Sequence, residues 1–300
     1  MMQEGKIETY TRKPAWLRRG LPSDPAFARL RSLLDAGRIH TVCQAARCPN
    51  CGECFARGRA TFLILGDCCT RGCRFCGVTP GEPEPPDPDE PRRVAEAAAL
   101  MALTYVVVTS VARDDLADGG AAAFVETIRA LRNRIPGARI EVLVPDFQGD
   151  AAALQSVLAE HPEVLNHNIE TVARLYPEVR PQAVYARSLE LLRRVSRHDP
   201  AIGVKSGLML GLGERPAEVE AALKDLRDAG CRILTLGQYL QPGKGRLPVA
   251  RFLAPEEFDA WREAALGMGF ERVASGPFVR SSYHAEELCG AGPGMAEDPA

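Results

Sequence analysis

The sequence predicts an α/β fold in which a parallel sheet closes partway into a barrel. Three observations carry that expectation. Apolar, β-rich runs recur six times after residue 60, and each of the first five is followed by a helical stretch. The runs are continuously apolar rather than alternating, as strands covered by helices on both faces are. Six βα units fall short of the eight of a full barrel, which favours an open or partial one. A doubly wound open sheet is the alternative on the same pattern.

In chain order, the expected strands are 61–67 (TFLILGD), 104–111 (TYVVVTSV), 139–145 (RIEVLVP), 164–170 (VLNHNIE), 202–210 (IGVKSGLML) and 232–240 (RILTLGQYL). The expected helices are 90–102, 120–134, 150–160, 184–197, 216–230 and 254–269, the first of them rich in alanine. Residues 81–91 (GEPEPPDPDEP) are proline- and acid-rich and read as a loop. In either sheet topology, functional groups gather at the carboxyl ends of the strands. The segments CTRGCRFC, TSVARDDL, HNIET, GLGE and QYLQPGKG all fall there. Residues 1–60 precede the barrel segment 61–270, and residues 271–300 follow it; both read as extensions.

Composition narrows the function classes. Lys plus Arg (37) nearly balances Asp plus Glu (39), so the basic footprint of a nucleic-acid binder is absent. The first twenty residues lack an apolar h-region, and no run approaches the length of a membrane helix, so the expected location is cytoplasmic. Ten cysteines are many for such a chain, and eight of them lie between Cys43 and Cys76. In a reducing compartment that clustering points to metal binding or catalysis rather than disulfides.

Cys69, Cys73 and Cys76 stand in one short loop after the first strand. Thiolates suit zinc or iron–sulfur clusters, and a four-iron cluster normally takes four of them. Three ligands leave one iron open to a substrate or cofactor. Arg71 and Arg74 would offset the cluster's charge or simply be solvated, and Phe75 would cover a ligand or shield the cluster. Cys43, Cys48 and Cys54 form a second set of three, with Cys51 as an extra. Zinc is the competing reading, because Cys51-x₂-Cys54 and Cys73-x₂-Cys76 have zinc-ribbon spacing. It leaves Cys43, Cys48 and Cys69 without a role.

The loop Cys69-x₃-Cys73-x₂-Cys76 resembles the signature of radical S-adenosylmethionine enzymes. Together with Cys43-x₄-Cys48-x₅-Cys54 it is similar to the lipoyl synthase family. The similarity extends through RKPAWLRRGLP, TSVARDDLADGGA, NHNIETVARLYPEVRP, KSGLMLGLGE and VASGPFVRSSYHA. The resemblance implies a partial (β/α)6 TIM-like barrel with N- and C-terminal extensions over its open end. It implies two [4Fe–4S] clusters and S-adenosyl-L-methionine, with the first cluster on Cys69, Cys73 and Cys76. The second, auxiliary cluster would take Cys43, Cys48, Cys54 and, as fourth ligand, Ser282 rather than Ser281. The implied reaction inserts sulfur at C6 and C8 of an octanoyl group on a lysine of a carrier protein. Carriers of that kind are the lipoyl domains of 2-oxoacid dehydrogenase E2 subunits and the glycine cleavage H protein. An electron donor such as ferredoxin or flavodoxin is implied as well.

Other positions carry two readings each. Asn168 and Glu170 would meet ribose hydroxyls or the ligand's ammonium group, or serve a cap and turn. Glycines of GLMLGLGE, Gly211 among them, would admit adenine or turn the chain. Lys205 and Ser206 are cofactor contacts if they face the cavity. Asp114 and Asp115 would orient substrate or satisfy backbone donors, and His167 and His284 read as structural rather than metal ligands. Cys68, Cys51 and the loop QPGKGRLPV depart from the family pattern, the last at the surface expected to meet the carrier.

Overall fold

The computed structural model describes residues 13–20 and 24–290. The remainder of both expected extensions, with Arg12, Leu21 and Pro22 of the RKPAWLRRGLP motif, lies outside the described residues.

The described residues ahead of the barrel form helices that the sequence reading did not anticipate. α1 (Pro25–Ala36) starts on Asp24, whose carboxylate accepts from the Ala26 amide at 2.8 Å, with Pro25 at the first helical position. That pairing of side-chain cap and proline is a normal helix start. Two short helices follow, α2 (Val42–Ala45) and α3 (Cys51–Ala56), and between them they carry Cys43, Cys51 and Cys54. The segment leading into α2 lies along β1 (Thr61–Ile64): Leu63 N donates to His40 O at 2.9 Å, and Thr41 bridges Phe62. An exposed sheet edge is thereby covered.

β1 is shorter than expected because Leu65 (φ 67°) and Gly66 (φ 83°) turn left-handed. Beyond the turn, β2 (Cys68–Cys69) pairs with β3 (Thr79–Pro80) and brackets the cysteine loop. The βα units then follow in order: α4 (Glu90–Leu100), β4 (Tyr105–Ser110), α5 (Ala121–Arg134), β5 (Arg139–Leu143), α6 (Ala151–Leu158) and β6 (Val164–Asn166). After the small α7 (Tyr176–Val179) come α8 (Tyr185–His198), β7 (Gly203–Leu210), α9 (Pro216–Asp228), β8 (Ile233–Gln238) and α10 (Pro255–Gly267). All six expected strands and all six expected helices are present, with shifted ends. β6 stops at Asn166 because the chain kinks to Glu170, whose φ is 65°.

A seventh strand, β9 (Arg272–Gly276), pairs with β8 in the stretch assigned to the C-terminal extension. The main sheet runs β1-β4-β5-β6-β7-β8-β9 with every pairing parallel, and among the described residues its two edges do not pair with each other. It is a barrel left open at one seam. Helix residues such as Val94, Phe124, Ile128, Leu154 and Leu192 are buried on its outer face, each contributing about 1.5–3 kcal/mol on burial. The last helix, α11 (Ala285–Gly290), places Ala285 and Cys289 against Tyr105, Val164 and Ile233, the first residues of β4, β6 and β8. It closes the end where strands begin, opposite the mouth that holds the cysteine loop.

Candidate functional site

The Cys69–Cys76 loop leaves β2 and is fixed before any guest arrives. Arg71 is only 6% exposed; it bonds Asp114 at 2.7 and 2.8 Å and Asp146 at 2.5 Å. Burial opposes the Arg71 charge, but the two carboxylates hold its pKa raised. Asp146 is pushed up by burial, yet Arg71 overrides this and brings it down to about 2. Arg71 is therefore a buried cation under the loop, engaged by both Asp114 and Asp146. Asp115 likewise pairs with Arg113 at 2.7 Å. Gly72 N donates to the Gln182 side chain at 2.7 Å and Arg74 N to Val179 O at 2.9 Å, so α7 and its flank also hold the loop.

The thiols themselves are prepared for thiolate chemistry. Cys69 Sγ accepts from Ala112 N at 3.3 Å and Arg71 N at 3.4 Å, and Cys76 Sγ accepts from Val78 N at 3.5 Å. Such donors favour the anionic sulfur. Burial raises Cys73, and burial with the neighbouring Cys73 and Cys69 raises Cys76 to about 12. Burial thus disfavours the charged form of Cys73 and Cys76, and a bound metal would displace their protons. Phe75 packs against the core behind them.

The second set forms separately. Cys48 N donates to Cys43 O at 3.0 Å, closing the turn after α2. Burial and the nearby Cys48 thiol raise Cys54 to about 12, and burial raises Cys43 to about 12. Cys43, Cys48 and Cys54 line one cavity of about 200 Å3 together with Arg280 and Ser282. Cys51 is not among its lining residues and packs against the core. The zinc-ribbon alternative fails here: Cys51 and Cys54 interact with Cys48, whereas Cys73 and Cys76 interact with Cys69. Among the described residues no three His, Cys, Asp or Glu side chains gather around a single ion. A four-iron cluster, which offers its irons at separate corners, does not require that. Two all-sulfur sets of three, one with a hydroxyl on the same cavity wall, fit iron–sulfur clusters.

The two cysteine segments touch. A Cβ on Gly77, the residue after Cys76, would lie 2.8 Å from Ala46 O, between Cys43 and Cys48. The QPGKGR loop clamps both: Arg47 reaches Pro242 O at 3.2 Å, Arg246 reaches Val78 O at 2.9 Å, and Leu247 N bonds Arg74 O at 3.0 Å.

Asn168 and Glu170 meet at the mouth, Asn168 Nδ2 donating to Glu170 Oε1 at 3.1 Å and to Ser281 Oγ at 2.6 Å. The Asn168 Oδ1 is buried and, among the described residues, has no hydrogen-bond partner. Burial raises the Glu170 carboxyl. Arg180 braces the turn from below, donating to Asn168 O at 2.9 Å and Ile169 O at 3.2 Å. Gly211 adopts φ 97° and its amide is held by Glu214 at 2.6 Å, so it turns the chain at the end of β7.

Lys205 and Ser206 are already engaged. Lys205, 0% exposed, bonds Glu141 at 2.8 and 3.1 Å; Glu141 also accepts from Tyr105 at 2.8 Å. Ser206 donates to His167 O at 2.8 Å on the other face of the strand. His167 spans Val144 O and Ser188, a structural position, and His284 lies against Glu287 and Glu53. Sequence reasoning missed Arg180, Arg280, Asp146 and Glu141. Arg280, the first residue of the RSSY motif, and Arg180, within NHNIETVARLYPEVRP, carried a local signal; Asp146 and Glu141 did not.

Residues 63–226 match the family model of the Radical SAM superfamily. The chain is 57% identical over 276 residues to a lipoyl synthase of Chlorobaculum parvum, covering 92% of this chain and 94% of that protein. It is 56% identical to a lipoyl synthase of Nitrosococcus oceani, covering 94% and 88%, and 51% identical to one of Rubrobacter xylanophilus, covering 92% and 86%. Among solved structures, methylornithine synthase superposes with a TM-score of 0.54 at 15% identity, covering 83% of this chain and 75% of that one. A maturase of the [FeFe]-hydrogenase gives a TM-score of 0.54 at 14% identity, covering 81% and 65%. These two show the shared fold.

Proposed function

The chain belongs to the lipoyl synthase family of the radical SAM superfamily, and from that premise we propose how its residues divide the work. The reaction is radical-mediated insertion of two sulfur atoms, at C6 and C8 of an octanoyl group held on a carrier protein's lysine. The observation that carries this reading is the presence of two sets of three thiols, one of which lines a cavity together with Ser282.

Cys69, Cys73 and Cys76 would hold one [4Fe–4S] cluster, which would bind S-adenosylmethionine; Cys43, Cys48, Cys54 and Ser282 would hold the other. When bound, the first group supplies the radical that removes hydrogen from unactivated carbon, and the second supplies sulfur. The chain's own contribution is placement. Arg71, clamped by Asp114 and Asp146, fixes the first loop. Glu170 and the free Asn168 Oδ1 bind polar hydrogens of the amino-acid or ribose part of S-adenosylmethionine, and Arg180 keeps both oriented. Backbone at Gly211 and the Phe75 side chain border the same ligand. Lys205, paired with Glu141, and Ser206, bonded to the His167 carbonyl, brace the sheet that carries the site. Ser282 gives an oxygen ligand, harder than thiolate and so the weaker hold on iron. Ser282 lines the same cavity as Cys43, Cys48 and Cys54, which supports this reading.

The carriers are lipoyl domains of 2-oxoacid dehydrogenase E2 subunits and the glycine cleavage H protein, and the reductant is a ferredoxin or flavodoxin. The protein works in the cytoplasm. No described helix is long and apolar enough to cross a membrane. Residues 1–60 act as the auxiliary-site extension, 61–270 as the barrel and 271–300 as the RSSY extension. The test is mass spectrometry of an octanoylated carrier domain after anaerobic incubation with reductant and S-adenosylmethionine. Replacement of two hydrogens by two sulfurs is expected; an unmodified octanoyl group, with the protein carrying about eight irons, would overturn the proposal.

A further inference from the structure

Two neighbouring serines face two different sites. Ser282 lines the cavity of Cys43, Cys48 and Cys54, while Ser281 accepts a 2.6 Å hydrogen bond from Asn168 at the other thiol set's mouth. The segment that carries them is a strap between the two ends of the barrel. Asn50 donates to Phe278 O at 2.7 Å, and Arg19 stacks on the Phe278 ring at 4.0 Å. Val279 crosses directly over Gly237 near the end of β8, where any Cβ would overlap the Val279 carbonyl. Tyr283 bonds Glu53 at 3.1 Å, back on α3. Arg280, between these anchors, interacts electrostatically with both Cys48 and Glu170.

The Asn168 amide is the junction. It has two hydrogens, and both are committed, one to Glu170 and one to Ser281. A ligand that engages Glu170 or donates to the free Asn168 Oδ1 must act on that amide, and through it on Ser281. Successive Cα atoms are about 3.8 Å apart, so a displacement of Ser281 cannot leave Ser282 in place. The link between the two sites is short: one side chain and one peptide unit.

We infer that Ser281 is a positioning residue that couples S-adenosylmethionine at Asn168 and Glu170 to the placement of Ser282 in the auxiliary cavity. The inference rests on the assignment of these two sites proposed above. Its consequence is order: the strap is seated for sulfur transfer when the radical source is bound, and is looser when that site is empty. Because coupling free energy is reciprocal, loosening the strap must also weaken S-adenosylmethionine binding.

The experiment uses the iron-loaded full chain. Amide hydrogen exchange of the segment 277–284 is measured with and without S-adenosylmethionine, and affinity for S-adenosylmethionine is measured by equilibrium dialysis. In the wild type the ligand should slow exchange of the strap. Ser281→Ala should lose that response and bind S-adenosylmethionine about three- to tenfold more weakly, the effect of one hydrogen bond. Ser281→Thr, which keeps the hydroxyl, should restore both, and equal iron content excludes a loading defect as the cause. If S-adenosylmethionine binds the wild type but leaves exchange of 277–284 unchanged, or if Ser281→Ala behaves as wild type, the coupling is wrong and the site assignment stands. If S-adenosylmethionine does not bind the iron-loaded wild type, both fall together.

Discussion

Gly77→Ala puts a single methyl group where the two cysteine segments meet. The added Cβ would lie 2.8 Å from Ala46 O, 2.9 Å from Ala46 C and 3.1 Å from Ala46 Cα. All three are backbone atoms, so no side chain can swing aside, and Ala46 is tied down by the hydrogen bond its N–H donates to Val42 O at 2.9 Å. The segments must separate by roughly half an ångström or more to reach ordinary van der Waals distance. Overpacking of this kind costs about 1–3 kcal/mol, and the strain falls on the turn that presents Cys48. Gly72→Ala is the matched control in the same region: its nearest neighbour would be the Gln182 side-chain oxygen at 3.9 Å. Urea unfolding and iron content should show Gly77→Ala destabilised by that amount and deficient in iron, with Gly72→Ala within a few tenths of a kcal/mol of wild type on this crowding account. Ala46→Gly should not rescue Gly77→Ala, because the clash is with main chain. Wild-type stability and iron loading in Gly77→Ala would refute the abutment of the two segments.

Three further outcomes follow from the same structure. Lys205→Met leaves Glu141 charged at 0% exposure and should cost about 3–5 kcal/mol, whereas Lys205→Met with Glu141→Leu should recover most of it; chemical denaturation of both variants decides. Cys51→Ala and Cys68→Ala should keep full iron content and lipoyl formation, while Cys48→Ala should lose about four irons, read by colorimetric iron analysis. Burial holds His167 near a pKa of about 4, below its ordinary 6.5, so the folded state favours the neutral ring. That contribution is complete above pH 6.5 and is lost as pH falls towards 4, amounting to about 3 kcal/mol in all. The urea midpoint should therefore drop between pH 7.5 and 5.5, and His167→Gln should flatten the slope.

Much of the barrel was legible because its strands are apolar runs and its helices carry plain boundaries. α9 and α10 both open on proline, and their ranges differ from expectation by a residue or two. Ends were misjudged where a left-handed residue stopped a strand, at Leu65 and at Glu170; neither is a residue type that advertises φ above zero. β9 was missed because RVASG is short and half polar, and only its pairing with β8 makes it a strand. α1 was missed although its Asp-Pro start was in plain view. The clustering of the cysteines was plain in the sequence, but spacing left the zinc-ribbon pairing open and the resemblance to the family supplied the two sets of three. Their partners were not legible, since Arg71 finds Asp146 across 75 residues and Asn168 finds Ser281 across 113. No local pattern encodes such contacts; they exist only once the sheet has curved.

The central claim is that one thiol set starts the chemistry and the other completes it. Single-turnover analysis of Cys73→Ala, Cys48→Ala and Ser282→Ala, counting 5′-deoxyadenosine beside singly and doubly thiolated octanoyl groups, tests this most directly. Cys73→Ala should form neither 5′-deoxyadenosine nor thiolated product. Cys48→Ala and Ser282→Ala should still form 5′-deoxyadenosine, the former giving no lipoyl group and the latter stalling before the doubly thiolated product. Wild-type yields of that product from Ser282→Ala or Cys48→Ala, or unchanged cleavage in Cys73→Ala, would contradict the division of labour between the two sites.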